Sequence, residues 1–193
     1  MADNWKFMAE FHEIESLPEE NVPEIIFWGR SNVGKSSLIN SLTKSKIAKI
    51  SKTPGRTRSL VFFELEKKLR FVDFPGYGYS TIPKIDEYKL DKIIEQYLSK
   101  RKNIIKLFLL IDSKHGFKEL DKIILNQLES VLKGKILIIF TKTDRLKNQN
   151  EKNLLIKYNE ISEKQFNKKF FNTSIKDINT IILLKKFVIK FFK

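Results

Sequence analysis

Residues 24–37 read Glu24-Ile25-Ile26-Phe27-Trp28-Gly29-Arg30-Ser31-Asn32-Val33-Gly34-Lys35-Ser36-Ser37. An apolar run of strand length passes directly into G-x-x-x-x-G-K-S, and a helical pattern opens at Lys35. Strand, glycine loop and helix in this order make a cradle for phosphate groups, because the glycines let backbone N–H groups wrap an anion and the helix start adds its dipole. Lys35 is placed to offset charge on the outer phosphates, the Ser36 hydroxyl to ligate magnesium, and Ser37 to reach the innermost phosphate. The competing reading, a chance glycine turn capped by Ser36, leaves the flanking strand and helix unexplained.

Outward from this loop, short apolar runs alternate with stretches of helical spacing, the pattern of a parallel sheet covered on both faces. Six strands are predicted, at Glu24 to Trp28, Leu60 to Leu65, Leu69 to Val72, Ile104 to Ile111, Ile136 to Phe140 and Lys169 to Phe171. Helices are expected to begin near Lys35, Ile85, Lys118, Asn150 and Asn179, with Leu90, Ile93, Ile94 and Tyr97 facing the core. The runs on either side of Glu66, Lys67 and Lys68 are close enough for a hairpin, which puts one antiparallel strand into the sheet. The expectation is therefore an α/β fold of three layers, with a mostly parallel six-stranded sheet. Residues 1–22 read as an N-terminal extension packed on one domain spanning 23–193. The irregular stretches 45–59 and 74–84 are the expected moving parts.

Composition narrows the classes further. A chain of 193 residues without cysteine excludes thiol catalysis, disulfides and cysteine-ligated zinc. No apolar run is long enough to cross a bilayer. The first residues, with Asp3, Glu10 and Glu13 among Trp5 and Phe7, fit neither a signal peptide nor a transit peptide, so a cytoplasmic protein is expected. The formal charge of +14 suits a polyanionic partner, but abundant Lys, Ile, Asn and Phe are also what AT-rich coding produces. The segment from Asn179 to Lys193 reads as a final helix packed on the sheet, with a basic amphipathic membrane binder as the alternative.

Three further motifs follow strands. Asp73-Phe74-Pro75-Gly76 reads as D-x-x-G, whose aspartate approaches magnesium and whose glycine N–H meets the γ-phosphate. Thr141-Lys142-Thr143-Asp144 looks like the [N/T]-K-x-D loop that selects guanine: a carboxylate accepts from the ring N–H and the amino group, and the lysine stem covers the base. Thr173-Ser174-Ile175-Lys176 resembles the loop whose backbone N–H meets the base oxygen. A plain turn, a helix N-cap and a loop are the respective bland readings.

With Gly29 to Ser37, Thr53-Pro54-Gly55-Arg56-Thr57, Asp73-Phe74-Pro75-Gly76-Tyr77-Gly78-Tyr79, Thr141 to Asp144 and Thr173 to Lys176 in order, the chain resembles the EngB family of bacterial GTP-binding proteins. The resemblance implies a Ras-like P-loop GTPase fold and a slow GTP-hydrolysing switch acting in late assembly of the large ribosomal subunit and in septum formation. It also implies GTP or GDP and magnesium as ligands, contacts from Gly55, Arg56, Thr57, Arg58 and Ser59, and metal ligation by Ser36, Thr57 and Asp73, with Thr53 as the alternative to Thr57. Lys35, Thr57 and Gly76 would be the catalytic groups. Arg58 stands where the family pattern has glutamine. Tyr77 replaces the glutamine that orients water in signalling GTPases, so a slow intrinsic rate is expected, raised by a ribosomal partner or a monovalent cation. Asn32 occupies the position at which related GTPases ligate potassium; a loop-stabilising role fits it equally. The expected partner is the large subunit or its precursor, through ribosomal RNA and proteins, with the GTPase itself a monomer. A P-loop ATPase or kinase, and an RNA-binding module with a degenerate nucleotide site, are the competing classes.

Overall fold

The structure, a computed structural model, describes residues 4–50, 59–78 and 84–191. Strands β1 (Trp5–Phe11), β2 (Glu24–Gly29), β3 (Leu60–Leu65), β4 (Leu69–Asp73), β5 (Ile104–Asp112), β6 (Ile136–Thr141) and β7 (Phe170–Asn172) form one sheet in the order β1-β3-β4-β2-β5-β6-β7. Five helices cover it: α1 (Lys35–Thr43), α2 (Lys84–Lys100), α3 (Glu119–Val131), α4 (Gln149–Glu160) and α5 (Ile178–Ile189). Only β3 runs against its neighbours β1 and β4, so the expected single antiparallel strand and the hairpin at Glu66 to Lys68 are both present. Left-handed φ values at Glu66 and Lys67 close that turn.

The sheet has seven strands rather than six, because part of the N-terminal stretch adds an edge strand. Trp5, Phe7, Ala9 and Phe11 alternate along it, yet a bulge between Phe7 and Ala9 breaks the register. A one-residue shift sends side chains to the opposite face. Trp5 therefore stacks on Phe71, with ring centroids 4.1 Å apart, on the α1 and α5 side, while Phe11 meets Phe62 at 5.0 Å on the other.

Parallel strands covered on both faces are apolar throughout, and every residue of β2 and β6 is buried. One core layer joins the sheet to Leu38, Ile39 and Leu42 of α1 and to Ile181, Leu184 and Val188 of α5. The other takes Ile94 and Tyr97 from α2, Ile124, Leu125 and Leu128 from α3, and Leu155 from α4, with Leu90 and Ile93 packed at its margin. At the N-terminal edge of the sheet the fully buried Glu24 accepts from the Tyr97 hydroxyl and from Arg101, at 3.0 and 2.5 Å. Arg70 lies 3.6 Å from the same carboxylate and donates to the Glu19 carbonyl, and Arg101 donates to the Pro18 carbonyl, so the cluster straps residues 18–19 to the domain. The opposite edge, where β2, β4, β5, β6 and β7 end, carries every described motif of the sequence.

Candidate nucleotide site

Gly29 closes β2 with a hypothetical Cβ only 2.6 Å from the Leu110 carbonyl, so no larger residue fits between β2 and β5 there. The chain then turns through Arg30, Ser31, Asn32 and Val33, with Asn32 left-handed at φ 62, to Gly34 at φ 110, which starts α1. Glycine and asparagine tolerate this region best. Lys35 and Ser36 thus sit at the first turn of a helix whose leading N–H groups face the loop.

The Asp73-Phe74-Pro75-Gly76 segment lies directly against this loop. Ser36 Oγ donates to Asp73 Oδ2 at 3.0 Å, while Asp73 Oδ1 is buried and has no hydrogen-bond partner. Burial raises the proton affinity of Asp73, and Lys35 and Ser36 offset part of that rise. Burial likewise lowers the pKa of Lys35, with Asp73 pulling the other way. A desolvated ammonium next to a half-satisfied carboxylate suits an anion and a hard cation together. A hydroxyl plus one carboxylate is the sparse donor set with which proteins hold magnesium on a phosphate, and Ser36 and Asp73 fit it. Among the described residues, no group of three or more His, Cys, Asp or Glu is placed to hold a metal ion.

Gly76 is dictated by contact: a Cβ there would lie 2.8 Å from Ser31 Cα and N. The two loops are laced by Ser31 N–H to the Tyr77 carbonyl at 3.1 Å and Tyr77 N–H to the Gly29 carbonyl at 3.3 Å. The Ser31 N–H therefore faces Tyr77 rather than the phosphate cradle. Phe74 is a core residue, packed on Trp28 and Tyr97, and the Pro75 carbonyl accepts from Trp28 Nε1 at 3.0 Å. The Arg30 guanidinium rests against Gly78.

At the other end, Thr141 Oγ1 donates to the Val33 carbonyl at 2.7 Å, and Lys142, itself left-handed, reaches back so that Nζ meets the Asn32 carbonyl at 2.7 Å and Asp112 Oδ2 at 2.8 Å. Its stem passes over Gly34, with Cε 3.9 Å from a Cβ built there. Asp144 lies in a short 3-10 turn, Thr143–Arg145. Ser174 Oγ donates to Asp144 Oδ1 at 2.7 Å and Lys176 Nζ stands 3.3 Å from Oδ2. Ser174 is the main reason why the Asp144 pKa is lowered from its ordinary value. Thr143 N–H donates to the Thr173 carbonyl, and Thr173 Oγ1 to the Phe140 carbonyl at 2.9 Å, which fixes the two loops side by side. An open pocket results, lined by Gly34, Ser37, Leu38, Thr141, Lys142, Asp144, Arg145, Thr173, Ile175 and Lys176.

The structure thus brings Gly29 to Ser37, Asp73 to Gly76, Thr141 to Asp144 and Thr173 to Ile175 to one edge. Gly55, Arg56, Thr57 and Arg58, with the alternative Thr53, lie outside the described residues. Ser59 is buried, and its hydroxyl donates to Glu10 of β1 at 3.4 Å, not into the phosphate loop. Two carboxylates that the sequence reading did not single out matter here. Asp112, at the carboxyl end of β5, anchors Lys142, and its position at a strand end beside the ligand crevice was the available signal. Asp121, fully buried in the first turn of α3, accepts from the Tyr77 hydroxyl at 2.8 Å and from the Lys118 N–H at 2.7 Å.

A phosphate loop with its aspartate, joined to a base pocket flanked by a serine-held carboxylate, defines the class of P-loop GTPases. The family described as 50S ribosome-binding GTPase matches residues 24–142. A probable GTP-binding protein EngB of Mycoplasmopsis synoviae is 53% identical over 137 residues, 69% of this chain and 71% of that one. Its counterpart in Ruthia magnifica is 42% identical over 160 residues, 82% and 80% of the two chains. The crystal structure of a probable GTP-binding protein EngB superposes with a TM-score of 0.65 at 27% identity, covering 88% of this chain and 98% of that one. The chain belongs to the EngB family of P-loop GTPases, GTP-binding proteins that hydrolyse GTP. Among the described residues, no helix is long and apolar enough to cross a membrane.

Proposed function

We propose that this protein is a slow GTP-driven switch of the cytoplasm that docks on the large ribosomal subunit or its precursor during late assembly, with a consequence for septation. The Asp144 carboxylate, held by Ser174 beside the phosphate loop, carries the guanine part of the reading. A carboxylate in that place satisfies both guanine donors and leaves adenine's pattern unmatched. The matching family's description, a 50S ribosome-binding GTPase, supports the ribosomal part.

In this reading the loop N–H groups and Lys35 would hold the phosphates, Gly76 N–H would meet the γ-phosphate, and Ser36, Asp73 and Thr57 would hold magnesium, which when bound would offset charge on the outer phosphates. The Tyr77 hydroxyl is committed to Asp121, so it orients no water, and hydrolysis waits on the subunit or on potassium at Asn32. Turnover in matched potassium and sodium buffers tests the cation, and equal rates remove it. The cations Lys44, Lys46, Lys49, Lys52, Arg56 and Arg58 surround the first switch stretch and would meet ribosomal RNA phosphates when GTP orders it. Its first part is already tied down, because Ala48 is bonded through both N–H and carbonyl to Asn40, each at 2.8 Å. Co-pelleting with large subunits, using a non-hydrolysable GTP analogue and GDP across a salt series, tests docking. Tighter binding with the analogue is expected; absence of binding in both states refutes the ribosomal role.

A further inference from the structure

At the N-terminal edge of the sheet, remote from the nucleotide, Lys106 lies near the start of β5, Lys135 immediately before β6 and Lys169 immediately before β7. These strands are neighbours, with Leu107 paired to Ile136 and Ile138 to Phe170, so Lys106 lies opposite Lys135 at about 5 Å, and Lys169 lies one strand further and two residues along, about 8 Å from Lys135. Lys106 Nζ donates to the Gly134 carbonyl at 2.9 Å, which directs its charge to the same turn. Among the described residues no carboxylate comes within ion-pair distance of Lys106, Lys135 or Lys169. Acids of this edge are engaged elsewhere: Glu24 with Arg70, Arg101 and Tyr97, Glu64 with Arg70, Glu129 with the buried Lys168 at 2.6 Å, and Glu20 with the Lys102 N–H at 2.6 Å. Burial and then the charges of Lys169 and Lys135 lower the pKa of Lys106, as expected where cations face one another without counter-charge. Lys102 and Lys133, both exposed, flank the row.

We propose that this row is a docking surface for RNA phosphates that works in either nucleotide state. From Lys106 to the end of β5 at Asp112 is a rise of about 20 Å, so phosphates bound here leave the nucleotide pocket open. A line of long cations across parallel strands matches a line of phosphates, and each contact releases counterions. An anionic membrane fits less well. Ile104 and Ile136 at these strand starts are buried, and Ile105 and Phe170 are half-buried against the core, so the strand starts offer lipid no fully exposed apolar side chain. The surface deepens the ribosomal reading and rests on it: the switch loops would report the nucleotide, and this edge would supply a constant hold.

The test compares the full chain with the variant Lys106→Glu/Lys135→Glu/Lys169→Glu, and with the triple Lys→Gln variant as the milder change. Both should bind a fluorescent GTP analogue as the unmodified protein does, which checks folding and the remote site together. Binding to isolated large ribosomal subunits should fall at least about tenfold for the Glu variant, equally with GTP analogue and with GDP, and the log–log salt slope should drop by roughly two to three. Unchanged affinity and slope in both triple variants would overturn the surface while leaving the ribosomal reading intact. So would a loss confined to the GTP state, or a loss on anionic phosphatidylserine vesicles without one on subunits. Failure of the unmodified protein to bind subunits would remove both readings.

Discussion

At the guanine end of the site, Asp144 has Oδ1 engaged by Ser174 and Oδ2 near Lys176, while at the phosphate end Asp73 has one oxygen on Ser36 and the other buried without a partner. The base pocket is assembled from bonds within the protein: Thr141 to Val33, Lys142 to Asn32 and Asp112, Thr173 to Phe140. Its geometry is fixed before any base arrives, which favours selectivity. The phosphate end instead keeps Lys35 and Asp73 desolvated, a costly arrangement that an anion with its cation relieves. Selectivity should therefore reside where the protein is self-satisfied, and the switch where it is not.

Lys35→Ala attacks the phosphate end and carries the largest expected effect. Turnover at saturating GTP should fall by about 10²–10³-fold, the cost of removing one preorganised stabiliser of transition-state charge. Phosphate release under single-turnover conditions measures it, and a fall of less than tenfold would mean that the desolvated pair is structural. Asp144→Asn attacks the base end. GTP affinity should weaken by roughly ten- to a hundredfold, on the order of 1–3 kcal/mol for mismatched buried donors, while xanthosine triphosphate gains. Competition titration against both nucleotides reads the exchange; equal affinity for ATP and GTP in the unmodified protein would dissolve the comparison.

Ser174→Ala sharpens the same comparison with a smaller step. The bond it removes lies near the surface, so a loss of about 1 kcal/mol or less in GTP affinity is expected at neutral pH. The pH response is more telling. Ser174 lowers the folded-state pKa of Asp144, so the charged form and the binding that depends on it are present above the ordinary carboxylate pKa and disappear as pH falls through the lowered value. Without Ser174 that pKa rises toward the usual range, and the acid limb of GTP binding should move to higher pH. An unmoved limb would show that another group sets it.

That the strings read for phosphate and guanine meet at one edge was legible because each is a local string at a strand's carboxyl end, and the chain's α/β rhythm located those ends. The edge strand was harder to read. Trp5, Phe7, Ala9 and Phe11 carry period-two spacing, but the bulge at Met8 divides them between two core layers, so no single face accounts for them. Asp112 and Asp121 were hidden for a different reason. Each looks like an ordinary cap, and only tertiary contact reveals that one holds Lys142 and the other Tyr77. Ser59, which the family resemblance places among the nucleotide contacts, here bonds through its hydroxyl to Glu10 of β1, a tertiary contact that its place in the string does not announce.

Tyr77 stands between the two ends of the comparison, directly after the segment that touches the phosphate loop. Its ring packs edge-on against Trp28, with centroids 5.5 Å apart, and its hydroxyl donates to Asp121. Burial, reinforced by the Asp121 charge, raises its pKa, so the phenol stays protonated and remains a donor across the physiological range. Tyr77→Phe removes only that bond. Asp121 keeps the Lys118 N–H on Oδ2 and the ring keeps Trp28, but the buried Oδ1 loses its donor, so stability should fall by roughly 1–3 kcal/mol. Turnover should stay within about twofold, since the hydroxyl points to α3 and not to the phosphates. Thermal melting and single-turnover hydrolysis on the same sample separate the two effects. A tenfold loss of turnover with unchanged melting would place the tyrosine hydroxyl in the hydrolytic machinery, and the phosphate end would then contain a fixed catalytic group rather than depend on a partner or cation.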